Sequence, residues 1–141
     1  MSLGTTIGSG PGNLVPESGI KEYLASAAIT KGQVVSIVVS AGTASYSIVQ
    51  ADSDGTNLDI VVGVAKESIA SGAWGEVYYK GYCPYVLTDG TVAVGDPLVP
   101  HTVAGEASVM VAGEEHIVFG NALSADTGTV EYCDALLLGK Y

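Results

Sequence analysis

Residues 33–40 read QVVSIVVS, and Ala41-Gly42-Thr43 separates them from SYSIVQ at 45–50. Two runs rich in β-branched residues, joined by a Gly-containing turn, predict paired strands. Branched side chains pack well on a pleated surface, and Gly enters turn conformations at no steric cost. The same grammar continues along the chain. DIVVGVA at 59–65, GEVYYK at 75–80, and residues 84–87, 96–99, 107–111, 117–122 and 130–138 read as strands. Asp52-Ser53-Asp54-Gly55, Asp89-Gly90, Ala104-Gly105 and Ala112-Gly113 punctuate them, and Asp89-Gly90 is the best tight-turn candidate. Many short strands at this spacing predict an all-β fold, a compact β-barrel or sandwich.

The first thirty residues differ from the rest. MSLGTTIGSGPGN at 1–13 is rich in Gly, Ser and Thr and reads as an extended or mobile arm. Residues 16–28 fit a short helix, with Ser18 as N-cap and Ile20, Tyr23, Leu24 and Ala27 at helical spacing. They fit equally an irregular lead-in to a first strand near residues 22–28. The chain therefore divides into a flexible N-terminal arm, residues 1–23, and a β domain, residues 24–141.

A weak internal repeat runs through that domain. Gly32-Gln33-Val34-Val35, Gly63-Val64-Ala65, Gly72 and Val77-Tyr78 recur as Gly95-Asp96-Pro97-Leu98, Gly120-Asn121-Ala122, Gly128 and Val130-Glu131-Tyr132. The offset shrinks along the chain, as shorter loops in a second copy would produce. The pattern fits a duplicated β unit, and it fits chance similarity among Gly- and Val-rich strands.

Charge narrows the partners. Asp+Glu 15 stands against Lys+Arg 5, all of them Lys, for a formal net charge of -10 over 141 residues. An acidic chain without Arg cannot neutralise a run of phosphates, so nucleic acid is excluded as a partner. Attraction to anionic lipid is disfavoured for the same reason, and no apolar run approaches the roughly 20 residues of a membrane-spanning helix. Hydrophobic residues at 48% supply enough apolar surface for a core. The N-terminus lacks the basic and apolar regions of an export signal. Cys83 and Cys133 are too few for a secreted disulfide scaffold; two reduced thiols fit better than one bridge.

No catalytic constellation stands out. His101 and His116 sit in turn-like contexts, no G-x-S-x-G elbow occurs, and Cys and His lack metal-ligand spacing. The run Asp52-Ser53-Asp54-Gly55 opens like a calcium loop, yet Gly63 stands where the twelfth-position Glu belongs. Gly8-Ser9-Gly10-Pro11-Gly12 follows no strand, and Pro11 removes an amide that a phosphate would need. The expectation is no enzyme, no cofactor and no metal. Aromatic residues are more suggestive: Tyr78, Tyr79, Tyr82 and Tyr85 follow Trp74 closely. Strand alternation sends such a cluster to both faces, one into the core and one outward. Trp74, Tyr78, Tyr79 and Tyr82 are thus interface candidates, with sugar stacking and plain core packing as the alternatives.

Taken in order, AITKGQVV at 28–35, Gly63-Val64-Ala65, ASGAWGEVYYKG at 70–81, VAVGDPL at 92–98 and Gly120-Asn121-Ala122 resemble the small capsid decoration, or cement, proteins of tailed bacteriophages. The resemblance covers roughly residues 24–138, and it is the ordered set that carries it. It implies a structural protein without catalytic residues, bound to the outside of a phage head and bridging capsomers. Its implied partners are the major capsid protein and further copies of itself, a trimer being favoured. Its implied location is the outer surface of the virion, after synthesis in the host cytoplasm. The candidate capsid-binding element is the arm from Thr5 to Leu24, through Leu14, Val15, Ile20, Tyr23 and Leu24. The acidic loop at 50–57 and the arm depart from the family pattern. A tail or fibre component and a carbohydrate-binding β module are the rival readings.

Overall fold

The computed structural model describes residues 17–40, 43–52, 60–127 and 131–139. Among them the strands follow in chain order as β1 Gly19–Ala25, β2 Val34–Ser40, β3 Thr43–Gln50, β4 Val61–Ala65, β5 Trp74–Leu87, β6 Thr91–Val92, β7 Pro97–Pro100, β8 Ala107–Val109, β9 Gly120–Ala122, β10 Asp126–Thr127 and β11 Tyr132–Leu138. A single 3-10 turn, Glu115–Ile117, interrupts them. The fold is all-β, as the strand and turn pattern predicts.

The sheet closes into a barrel. β1 pairs with β3, β3 with β2, β2 with β4 and β4 with β5, and β5 returns to β1. The strand β5 then runs on past Gly81, whose φ of 75° is open to Gly and strained for other residues. Its second half pairs with β11, β11 with β9, β9 with β7, and β7 with β8. A parallel bridge between Thr88 and Ala107, with Asp89 N–H bonded to the Ala107 carbonyl at 2.9 Å, brings β8 back to the end of β5. A second ring therefore follows the first in the same strand order, and β5 belongs to both.

The duplication extends to individual hydrogen bonds. In the first ring Gly32 N–H bonds the Ala65 carbonyl at 2.9 Å and Ala65 N–H bonds the Gln33 carbonyl at 2.9 Å. In the second, Gly95 N–H bonds Ala122 at 2.8 Å and Ala122 N–H bonds Asp96 at 2.9 Å. Ala51 to Val34 is matched by Met110 to Pro97, both at 2.9 Å, and Ser26 to Ile48 by Asp89 to Ala107, again both at 2.9 Å. The antiparallel bridge of Ile29 with Ile69 recurs as the pairing of Val92 with Asp126. Gly32 and Gly95, at φ 89° and 90°, make the same corner, which only Gly enters without strain. The repeat read from the sequence is thus a structural repeat through Gly120-Asn121-Ala122. Its last step needs correction, because Leu24 pairs with Trp74 as Leu87 pairs with Tyr132. Tyr132 is therefore the counterpart of Trp74, and Val77-Tyr78 corresponds to Ala135-Leu136.

Burial follows the strand alternation. Ala25, Ile29, Val35, Ile48, Val62, Ala65, Ile69 and Val77 form one buried cluster, inside the first ring. The alternate residues Val34, Val64 and Tyr78 turn outward and join Val86, Val92, Leu98, Phe119, Ala122 and Ala135 of the second ring in the other. Removing this apolar area from water, at about 25 cal/mol per Å², is the main driving force holding the rings together.

Several expectations are corrected by this arrangement. Residues 19–23, assigned to the arm, form the start of β1, so the boundary lies at or before Gly19 and not at residue 23. The alternative of a helix at 16–28 is overturned where the chain is described, because β1 occupies Gly19–Ala25. The segments 75–80 and 84–87 are one strand, β5. Residues 117–122 hold the end of a 3-10 turn and only a three-residue strand. Asp89-Gly90 is a turn, with Gly90 at φ 94° and Thr91 N–H bonded to Asp89 Oδ1 at 3.1 Å. It joins β5 to β6, which pair with different strands and not with each other.

Candidate interaction surface

Of the four aromatic candidates, the fold exposes one fully. Trp74 opens β5 and is 65% exposed, beside Leu24 of β1. Tyr78 is buried, and its ring meets Tyr85 edge-on at 6.0 Å. Its role is core packing, which alternation along β5 left open. Tyr79 is half-buried, with Lys21 Nζ 4.6 Å and Lys80 Nζ 5.5 Å from its ring centre. The Tyr82 hydroxyl donates to Asp134 Oδ2 at 3.3 Å; burial first, and the Asp134 charge second, raise its pKa.

The arm candidates separate in the same way. Ile20 lies on β1 opposite Tyr78 and is partly exposed, while Leu24 is half-buried. Tyr23 packs against the core of the first ring, and burial raises the pKa of its hydroxyl. Leu14 and Val15 lie outside the described residues.

The contact between the two rings is where polar and aromatic groups converge. The Lys31-Gly32 corner of the first ring sits against Tyr85, Leu87 and Tyr132 of the second. Leu87 N–H bonds the Gly32 carbonyl at 2.8 Å, and the Tyr85 hydroxyl donates to the Lys66 carbonyl at 2.6 Å. Lys31 Nζ lies 4.4 Å from the centre of the Tyr85 ring, a cation–π contact. A Cβ on Gly32 would collide with the Tyr132 ring, so glycine is what lets the aromatic ring approach. Val34 N–H to Gly105 and Gly105 N–H to Ala51, both 2.8 Å, add a main-chain clasp. Desolvation in this contact, then the neighbouring Tyr78, push the Tyr85 hydroxyl up to about 12.

The corresponding corner of the second ring is open. Val94 is 68% exposed and Leu123 is 41% exposed. They occupy the places of Lys31 and Lys66. The sequence marks neither, because a Val or Leu beside a turn glycine looks like any strand end; only the duplicated geometry singles them out. Tyr46 on β3 and Val111 are further exposed apolar residues that the sequence reading passed over.

The titratable groups show how far the fold supports chemistry. His101 lies between Glu106, at 3.5 Å from Nδ1, and Asp89, at 3.9 Å from Nε2. Cys83 and Cys133 are free and buried. Desolvation pushes their thiols up to about 12 and about 11, so both are protonated near neutrality and poor nucleophiles. Among the described residues, no group of three or more His, Cys, Asp or Glu side chains is placed to hold a metal ion. The described helical content includes no helix long and apolar enough to cross a membrane. No protein-family model matches the chain, and no curated protein matches it.

Proposed function

We propose that this chain is a structural virion protein that binds the outer surface of a tailed-phage head and stabilises it by bridging capsomers. The observation that supports the reading is where the resembling segments fall. AITKGQVV, Gly63-Val64-Ala65, VAVGDPL and Gly120-Asn121-Ala122 are the corners and corner-binding strands of both rings, tied together by matched main-chain bonds. The segments that carry the resemblance are thus fold-building segments, which supports the reading. A duplicated barrel filled with its own side chains makes a rigid block, suited to contacts that are individually modest and multiplied by symmetry. In this reading the partners are the major capsid protein and further copies of the chain, with a trimer favoured. Leu14, Val15 and Ile20 belong to the segment that reaches the shell, on the outside of the virion.

Co-sedimentation of the purified chain with undecorated heads tests the proposal. Binding at micromolar concentration, with a raised melting temperature of the heads, is the expected result; failure to co-sediment removes the reading. With only five Lys, the contact in this reading is apolar and main-chain in character and not driven by this chain's cations, so occupancy should survive moderate salt. The exposed Trp74 ring favours one rival, a carbohydrate-binding module, since an aromatic face stacks on a sugar ring. Glycan-array binding abolished by Trp74→Ala would support that rival. Location on the tail or fibre of labelled virions would support the other.

A further inference from the structure

We propose that copies of this chain associate head to tail, with the Trp74 face of one copy seated on the Val94-Gly95 corner of the next. The contact between the two rings inside one chain has two sides. The first ring contributes the Lys31-Gly32 corner, and the second contributes the face of Tyr132 and Leu87. Because the rings are duplicates, each carries both sides, and the internal contact uses one side of each. The corner of the second ring and the face of the first are left over. Their residues follow from the matched registers: Val94-Gly95 for Lys31-Gly32, Leu123 for Lys66, Trp74 for Tyr132, Leu24 for Leu87 and the exposed Glu22 for Tyr85.

Composition at three of these positions points to an apolar occupant. Two lysines of the internal corner become Val94 and Leu123 at the open one, and Tyr132 becomes the larger Trp74. The outcome is three apolar side chains between 41% and 68% exposed in a chain of net charge -10. Gly95 keeps the backbone of Gly32, and a Cβ there would meet nothing within 4 Å, so the surface on which Tyr132 rests in the internal contact is accessible here. Two bonds of the internal contact cannot be repeated. Val34 N–H binds Gly105, and its counterpart Pro97 has no N–H. The Tyr85 hydroxyl donates to the Lys66 carbonyl, and its counterpart Glu22 is a carboxylate that only accepts. The contact between copies therefore depends on the side chains of Trp74, Val94 and Leu123. It joins different surfaces of the two partners, so its repetition yields a closed ring or an open filament of more than two chains.

The inference does not depend on binding to a shell, and it is tested on the purified chain alone by light scattering after size exclusion. The wild type is expected as particles of three or more 14.2 kDa chains at tens of micromolar. Trp74→Ala and Val94→Glu should each give monomers with an unchanged circular dichroism spectrum. Val94→Glu brings a like charge to the face that carries Glu22 at the place of Tyr85, and it keeps the Gly95 turn intact if Trp74→Ala fails to fold. Mixing the two variants leaves one sound contact per pair and should give particles of two chains. A monomeric or two-chain wild type overturns the proposal, as does a wild-type particle that Val94→Glu leaves unchanged in mass.

Discussion

Inside the second ring the hydroxyl of Thr88 donates to Asp126 Oδ2, at the positions where the first ring packs Ala25 against Ile69. Both residues are buried, and Asp126 Oδ2 also accepts the Glu131 N–H at 3.1 Å, while Oδ1 has no partner. The two rings thus solve one packing position differently, by an apolar pair and by a polar one.

Removing half of the polar pair should be costly. Asp126→Ala leaves the Thr88 hydroxyl and the Glu131 amide without their acceptor, and a loss of about 1–3 kcal/mol is expected. The double variant Thr88→Ala with Asp126→Ile copies the first ring and should recover the part of that loss that comes from the Thr88 hydroxyl, although the Glu131 and Gly90 amides still lose their acceptors. Urea unfolding of the three proteins measures it; a double variant no more stable than Asp126→Ala would refute the equivalence.

Two glycines should be irreplaceable for one shared reason. A Cβ on Gly63 would strike the Tyr78 carbonyl, and one on Gly120 would lie 2.7 Å from the Leu136 carbonyl. These are matching positions on β4 and β9, where the neighbouring backbone cannot yield. Gly63→Ala and Gly120→Ala should each lower stability by about 1–3 kcal/mol or more, the first more severely. Gly113→Ala meets no atom within 4 Å, and its only penalty is a φ of 96°, which Gly63 and Gly120 do not share, so it compares backbone strain with collision. Equal melting temperatures for all three variants would contradict the assignment.

Ser36 offers a stabilising change. Its hydroxyl is fully buried with no partner among the described residues, and the matching residue of the second ring is the buried Val99. Ser36→Val should therefore raise stability by about 1 kcal/mol, because the desolvation cost of an unpaired hydroxyl disappears. Thermal unfolding at neutral pH checks the direction.

Alkali should loosen the fold from about pH 9. The Cys83 and Cys133 thiols are raised from 9 to about 12 and about 11, chiefly by desolvation. Above pH 9 the unfolded chain releases these protons while the folded chain holds them, so stability falls as pH rises toward the folded values. Below pH 9 both states are protonated and the contribution is complete. The Cys83→Ala, Cys133→Ala variant should show a shallower decline in melting temperature between pH 9 and pH 11. In the native protein both thiols should also react slowly with a disulfide reagent at pH 8, and rapidly once unfolded.

Strand identity was legible because it depends on local chemistry. QVVSIVVS and DIVVGVA carry β-branched residues, and β2 and β4 form within them. The corner glycines were legible for a similar reason, since Gly32 and Gly95 adopt the positive φ that only glycine enters freely. Duplication showed through wherever backbone geometry constrained the residue, as in Gly63-Val64-Ala65 and Gly120-Asn121-Ala122. It faded where the two copies face different neighbours, which is why Tyr132 was matched to Tyr78 and not to Trp74.

What the sequence determined by itself was the all-β class, the turns and the repeated corner, because each follows from the conformational limits of a few adjacent residues. What only the tertiary structure decided was which apolar residues stay exposed. Tyr78 and Trp74 lie four residues apart on one strand, yet one is 8% exposed and the other 65%. Strand alternation says which residues share a face, but not whether another ring covers it. That depends on the second ring packing beside Tyr78 and leaving Trp74 open, a contact between segments far apart in the chain.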